Sequence, residues 1–202
     1  MPAALFLILA ATLLRVLPPL LHVHHDWISN FSPLASIILC GAVYFSKRMA
    51  AWAPLLILLV SDLVLNHFAY AWPFFSWEIL PRYVAFAVIG AIAFLNRQTL
   101  RDKSAVLMGG SVAASLFFYI GTNTASWVGD VGYAKSFSGW VQALTVGLPG
   151  YPSTLLFLRN SLASDLLFTG LFIASMAVTR KKSADTPNFE AATARPASVT
   201  IN

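Results

Sequence analysis

Six long apolar stretches, separated by short polar or basic segments, dominate the chain. A bilayer core of about 30 Å requires about 20 apolar residues in an α-helix, and the second stretch is clearly shorter than that. Its start is marked by Ser32, which can cap a helix, and Pro33, which suits the first turn. The pattern predicts six transmembrane helices over residues 3–21, 33–45, 50–66, 81–95, 105–120 and 154–179.

The short second helix has three explanations: a tilted partner, a thinner membrane, or burial among the other helices. Residues 137–147 are too short to span and are predicted to form an interfacial or re-entrant piece. Residues 183–202 are polar and lack periodicity, which is typical of a disordered cytoplasmic tail. The predicted organisation is therefore a six-helix transmembrane domain over residues 1–182, followed by this tail.

Composition supports an integral membrane protein. The chain of 202 residues is 58% hydrophobic and 10% charged, with a mean hydropathy of +0.72, whereas a soluble domain carries roughly 25% charged residues. Soluble enzymes and nucleic-acid-binding proteins are therefore disfavoured, and the net charge of +5 is better explained by membrane orientation.

Basic residues are concentrated in every second connection between the predicted helices, which places them on one side of the bundle. The loops on the other side contain only Arg82 and Lys135. Because basic residues favour the cytoplasmic side, this alternation predicts six helices with both termini in the cytoplasm. The basic connections and the segment after the sixth helix carry Lys47, Arg48, Arg97, Arg101, Lys103, Arg180, Lys181 and Lys182.

Four charged residues, Arg15, Asp62, Arg159 and Asp165, lie well inside the predicted spans, away from their ends. Each costs at least about 2.5–3.5 kcal/mol at the membrane centre, which makes intramembrane ionisable groups candidates for function. Helix rise places Asp62 about 18 Å from the start of its helix and Asp165 about 16 Å from the start of the sixth helix, which begins at the opposite face of the membrane. Both carboxylates are thus expected near the middle of the membrane.

Two interpretations of these polar groups remain open. In one, Asp62 and Asp165 pair with Arg15 and Arg159 and hold the bundle together; in the other, they form the polar wall of a ligand pocket or a proton path. Asn66 lies one helical turn after Asp62, and Ser161 one turn before Asp165, so each helix has an inward polar stripe. The candidate substrate-binding residues are Asp62, Asn66, His67, Trp127, Arg159, Asn160 and Asp165.

Aromatic and histidine residues are concentrated in the predicted outer loops. Among the six tryptophans, Trp52 alone falls at the inner interface, whereas an ordinary aromatic belt occupies both interfaces. This bias suggests loops that line or cap a pocket open to the outside. A cluster of side chains in the first outer loop could bind a transition metal: His22, His24, His25 and Asp26. His67 could add a further ligand.

Known catalytic signatures are absent from the sequence. It contains no P-loop, and neither His-Glu-x-x-His nor Gly-x-Ser-x-Gly occurs. The single cysteine, Cys40, excludes an intrachain disulfide and is predicted to be a small packing residue. We expect a protein that is not an enzyme and needs no cofactor.

Two segments carry a resemblance to a known family. In these segments the chain resembles a family of uncharacterised small bacterial membrane proteins. The first segment comprises residues 30–45 with Pro54-Leu55 and Ser61-Asp62-Leu63, and the second comprises residues 157–161 and 165–169. That family in turn resembles the substrate-binding S components of energy-coupling-factor transporters. Those are six-helix proteins that bind a vitamin or a metal from outside and associate with a transmembrane coupling protein and two ATPases.

The resemblance implies a location in the bacterial inner membrane and a pocket near the outer face. By position, it points to residues 22–27 and 122–133. The first helix lacks the Ala-x-x-x-Ala motif with which many S components dock on the coupling protein, because Ala10 and Ala11 are followed by Leu14 and Arg15.

Three functional hypotheses follow from the sequence. The first is S-component-like uptake of a vitamin-like molecule or a metal, with a small-molecule ligand, the lipid bilayer and a coupling module as partners, and no nucleic acid. The second is a structural or assembly membrane protein whose buried charges hold the bundle together. The third is an intramembrane enzyme, which requires Asp62 and Asp165 to lie within about 10 Å of each other.

Overall fold

The computed structural model describes residues 2–21, 31–71, 73 and 79–185, and its regular structure over these residues is entirely helical. Helix α3 continues directly into a π-helical segment, Leu65–Ala69. The other helices of this part of the chain, in order, are α1 (Pro2–Leu20), α2 (Leu34–Tyr44), α3 (Lys47–Val64), α4 (Leu80–Leu95), α5 (Arg97–Asp102), α6 (Ser104–Gly129), α7 (Phe137–Leu144) and α8 (Thr154–Asp185).

Three helical stretches of the described chain are long and apolar enough to cross a membrane: Trp52–Ala69, Ser104–Gly129 and Thr154–Thr179, with mean hydropathies of 1.6, 1.6 and 1.7. Together with the helical structure of the described residues, they indicate a helical membrane protein. The shorter apolar helices Phe6–Leu20 and Leu34–Tyr44, together with α4, coincide with the three remaining predicted spans but fall below this length.

Helix α2 lies at the centre of the bundle. Residues 35–43, nine of its eleven, are buried, and α3, α4, α6 and α8 all pack against it. At 1.5 Å per residue the helix is only about 16 Å long, so the short second stretch is explained by burial among the other helices. Cys40 is fully buried within it, which confirms the predicted packing role.

Both ends of α2 are capped by charged side chains from distant parts of the chain. At its N-terminus, the backbone N–H of Ser36 donates to Asp165 Oδ1 at 2.8 Å. At its C-terminus, Arg97 Nη2 donates to the carbonyl oxygens of Val43 and Phe45 at 3.3 and 2.6 Å. A carboxyl oxygen at the N-terminus and a guanidinium group at the C-terminus each complement the partial charge of that helix end. These caps satisfy backbone groups that the short helix would otherwise leave unpaired.

Three predicted boundaries differ from the structure. Helix α6 continues to Gly129, nine residues past the predicted end at 120, because Thr122 and Asn123 bond the carbonyls one turn earlier instead of breaking the helix. Helix α7 corresponds to the predicted short piece at 137–147. Helix α8 extends to Asp185, so the first three residues of the predicted tail are helical, whereas 186–202 lie outside the described residues.

Gly41 allows α2 and α3 to approach closely. A Cβ added at this position would lie 2.5 Å from Pro54 Cγ, whereas one added at Gly109, on the exposed side of α6, would meet nothing within 4 Å.

We therefore expect Gly41→Ala to lower the free energy of unfolding by about 1–3 kcal/mol through overpacking. The matched variant Gly109→Ala should raise it by roughly 0.5–1 kcal/mol through helix propensity. Thermal unfolding in detergent measures both. Equal effects of the two substitutions would contradict the close packing of α2 on α3.

Candidate functional site

A cavity of about 490 Å³ lies at one end of the bundle. Its walls come from the C-terminal parts of α1, α3 and α6 and from the N-terminal parts of α2, α4 and α8. The basic residues at 47–48 and 97–103 belong to the opposite ends of these helices. The volume falls within the range of about 300–1,000 Å³ that is typical of small-molecule sites.

Asp62 is the centre of a buried charge cluster on one wall of this cavity. Its Oδ1 accepts hydrogen bonds from Arg15 and, at 3.1 Å, from Arg82 Nη1, and its Oδ2 accepts one from the Tyr83 hydroxyl at 2.8 Å. Arg15 also donates to Ser61 Oγ. Such charge-assisted bonds offset part of the cost of removing the carboxylate from water.

The π-helical segment that follows Asp62 forms part of the same wall. Leu65 and Asn66 are buried there and line the cavity, whereas His67 is exposed with its ring against Phe68 at a centroid distance of 4.6 Å. Short π-helical insertions within α-helices are frequently found at functional sites.

Asp165 forms the second polar group of the cavity, at the N-terminus of α2. Its Oδ1 accepts the Ser36 N–H, and its Oδ2 accepts the hydroxyl of Ser115 at 2.6 Å. One turn farther into the bundle, Thr169 Oγ1 donates to Ser111 Oγ at 3.0 Å. Polar contacts thus join α8 to both α2 and α6 in the interior.

The predicted helix cap at Ser32 is wrong. Residue Pro33 occupies the capping position without a side-chain hydrogen bond, and Asp165 supplies the acceptor instead. The Oγ atom of Ser32 is buried and has no hydrogen-bond partner among the described residues. Because Ser32 lines the cavity, this hydroxyl is a donor available to a bound molecule.

The structure brings together three of the seven predicted substrate-binding residues. Asp62, Asn66 and Asp165 line the cavity, and Arg15 from the predicted charge network joins them. The predicted pairing of Asp62 with Arg15 is confirmed. Arg82, which the sequence placed in an outer loop, is a second partner of the same carboxylate.

Helical geometry separates the other α8 candidates from this site. Ser161 lies four residues from Asp165 and therefore within about 40° of it around the helix axis, whereas Arg159 lies six residues away and about 120° around the axis. Accordingly, Ser161 lines the cavity, and Arg159 is exposed, with its Nε donating to Asn160 Oδ1 at 3.1 Å. The predicted ion pair between Asp165 and Arg159 is absent from the described part of the chain. Asn160 is buried but is not among the residues that line the cavity.

Trp127 stabilises the segment after α6 and does not line the cavity. Its indole N–H donates to the carbonyl of Ala134 at 2.9 Å, and its own carbonyl accepts from Lys135. Trp140 of α7 donates to Thr124 at 2.9 Å. These tryptophans therefore hold α7 and the preceding loop against α6. The aromatic residues that do line the cavity are Phe31, Tyr70, Phe118, Tyr119 and Phe157.

The predicted histidine cluster, His22, His24 and His25, lies outside the described residues, as does Asp26. Over residues 2–21, 31–71, 73 and 79–185, no group of three or more His, Cys, Asp or Glu side chains could hold a metal ion.

Sequence reasoning missed several cavity residues that lie on apolar helices: Arg82, Ser115, Phe118, Tyr119 and Phe157. The sequence did contain a signal that could have identified Arg82 as a cavity residue. It lies at the very start of the predicted fourth span, at the edge of the outer loop with which it was counted, and it could have been paired there with a buried carboxylate. Phe118 and Phe157 could not be distinguished from the lipid-facing residues of their helices by composition.

The fold and this site define a helical membrane protein with a cavity of mixed polar and apolar lining between its helices. More particularly, the chain belongs to the family described as "Family of unknown function (DUF6580)", which matches residues 1–190. No curated protein and no solved structure matches the chain.

Proposed function

We propose that this protein binds a small molecule in the cavity and takes it up across the bacterial inner membrane without altering it chemically. The observation that carries the proposal is the cavity of about 490 Å³, which combines charged groups with aromatic side chains inside an apolar bundle. Convergent polar groups in a largely apolar pocket are typical of ligand sites.

The proposed orientation rests on the distribution of basic residues. The connections opposite the cavity and the end of α8 together carry eight of the 13 Lys and Arg residues, and basic segments favour the cytoplasm. The cavity would then face outward, in a bundle of six spans in which α1, α2 and α4 cross together with the three longer helices. This arrangement supports a likeness to S components, whose substrates bind from outside and whose transport uses a coupling protein and two ATPases.

The structural alternative is favoured by the ion-paired cluster around Asp62. A carboxylate bound by two guanidinium groups and a tyrosine hydroxyl can hold α1, α3 and α4 together without any ligand. An intramembrane enzyme stays the third hypothesis, and it requires Asp62 and Asp165, which both line the cavity, to lie within about 10 Å of each other.

Native mass spectrometry of protein purified gently from its own host tests for a co-purifying molecule. A stoichiometric ligand supports the uptake proposal and contradicts the purely structural one. Empty protein, with no thermal shift across vitamins and divalent metals, would instead favour the structural alternative.

A cavity-filling substitution locates the binding site. We expect Ser161→Phe to reduce ligand occupancy by about tenfold or more, because the ring would fill the space beside Asp165 where a ligand must pack. Ala163→Phe on the same helix is the matched control, since Ala163 is exposed and does not line the cavity. Unchanged occupancy in Ser161→Phe, or an equal loss in both variants, would argue against binding in this cavity.

A further inference from the structure

We infer that the cavity binds the anionic oxygen group, a carboxylate or a phosphate, of a small amphipathic molecule, with the guanidinium groups of Arg15 and Arg82 as its contacts. This inference rests on the proposed function and narrows its ligand class. It follows from the charges in the wall of the cavity and from how each is already paired.

Two cations share one anionic oxygen in this wall. Arg15 and Arg82 both donate to Asp62 Oδ1, while Oδ2 is occupied by the Tyr83 hydroxyl. The side chain of Arg82 is 35% exposed, compared with 9% for Arg15 and 4% for Asp62. A guanidinium group has five N–H donors, and Arg82 uses one of them on the described residues. The cluster of Arg15, Arg82 and Asp62 therefore carries one formal positive charge, and Arg82, which lines the cavity, has N–H donors for which the described residues offer no acceptor.

Asp165, the other described carboxylate in the wall, has different partners. Its two oxygens accept the Ser36 N–H and the Ser115 hydroxyl, and no guanidinium pairs with it. The N-terminus of α2 carries partial positive charge from its unpaired N–H groups. Asp165 thus interacts with the helix end, and the surplus charge of the arginine pair remains available to a ligand.

The same arrangement argues against a metal cation. A cation entering beside Arg15 and Arg82 would meet like charge at short range, which is unfavourable in a medium of low dielectric constant. Guanidinium groups instead match the planar oxygens of carboxylates and phosphates. The rings of Phe31, Phe118 and Phe157 line the remaining walls and suit an apolar or ring-bearing body.

The test uses the full chain in phosphatidylcholine nanodiscs and pairs of small probes that differ in charge. Benzoate is compared with benzamide, and phenyl phosphate with benzyl alcohol, by the shift in unfolding temperature across a concentration series. We expect the anions to stabilise the protein and their neutral partners to have a smaller effect. Arg82→Gln should weaken anion binding by about tenfold or more, and Arg82→Lys should retain part of it.

Arg48→Gln is the matched control, because Arg48 is exposed at the opposite end of α3 and the substitution removes the same charge. Arg82→Gln should still fold, since Asp62 keeps its contacts with Arg15 and Tyr83. Neutral probes that stabilise the protein as well as the anions do, or anion binding unaffected by Arg82→Gln, would overturn the inference.

An anionic lipid headgroup could supply the same chemistry. If phosphatidylglycerol nanodiscs stabilise the wild type relative to Arg82→Gln while phenyl phosphate has no effect, the ligand is a lipid and the anion inference holds. If a neutral or cationic molecule co-purifies and Ser161→Phe removes it, the inference fails while the proposed function stands. If no probe, lipid or co-purified molecule binds, both fail.

Discussion

Replacing Asp62 by asparagine should lower the free energy of unfolding by about 3 kcal/mol. The variant removes the negative charge that Arg15 and Arg82 share and leaves two guanidinium groups facing each other inside the bundle. For a chain of this size the loss corresponds to a decrease of roughly 10 °C in the unfolding temperature. Thermal unfolding in detergent measures it.

Asp102→Asn is the control for this experiment. Asp102 is exposed and has no ion pair among the described residues, so its variant should unfold at nearly the wild-type temperature. Combining Asp62→Leu with Arg15→Met should recover part of the loss, because apolar groups can replace a buried ion pair. An Asp62→Asn protein as stable as the wild type would show that this cluster does not hold the helices together.

Asp165→Leu should destabilise the protein by about 2–4 kcal/mol, because it removes the N-terminal cap of α2 and leaves the buried N–H of Ser36 without an acceptor. Asp165→Asn should cost less than about 1 kcal/mol. Its amide oxygen can still accept from Ser36, and its NH₂ group can donate to Ser115 Oγ, whose hydroxyl is also within reach of the Ser111 carbonyl at 3.0 Å.

Hydrogen exchange at the start of α2 separates capping from other roles of Asp165. Faster exchange of the Ser36 amide in Asp165→Leu, but not in Asp165→Asn, is the expected result. If both variants are equally unstable, the negative charge of Asp165 matters more than its hydrogen bonds. If neither is destabilised, the cap contributes little to the fold.

The Asp62→Asn variant also distinguishes the uptake proposal from the structural alternative. The structural alternative predicts that Asp62→Asn lowers stability without altering uptake of any solute. The uptake proposal predicts a further loss of ligand binding at temperatures well below unfolding, because Asp62 positions both guanidinium groups.

The sequence by itself determined the class of the protein and most of its helices. Apolar composition and the lengths of apolar stretches are local properties, so the membrane assignment and the approximate positions of the six predicted spans could be read directly. The pairing of Asp62 with Arg15 was also within reach, because a charge at membrane depth requires a nearby opposite charge.

Tertiary structure alone decided which polar groups meet. Asp165 caps α2 through the N–H of Ser36, which lies 129 residues earlier in the chain, and Arg82 reaches a carboxylate on the preceding helix. These contacts depend on how each helix is rotated about its axis. In helices that are apolar on most sides, hydrophobic periodicity leaves that rotation undetermined. Packing around the buried α2 sets it, and with it the composition of the cavity.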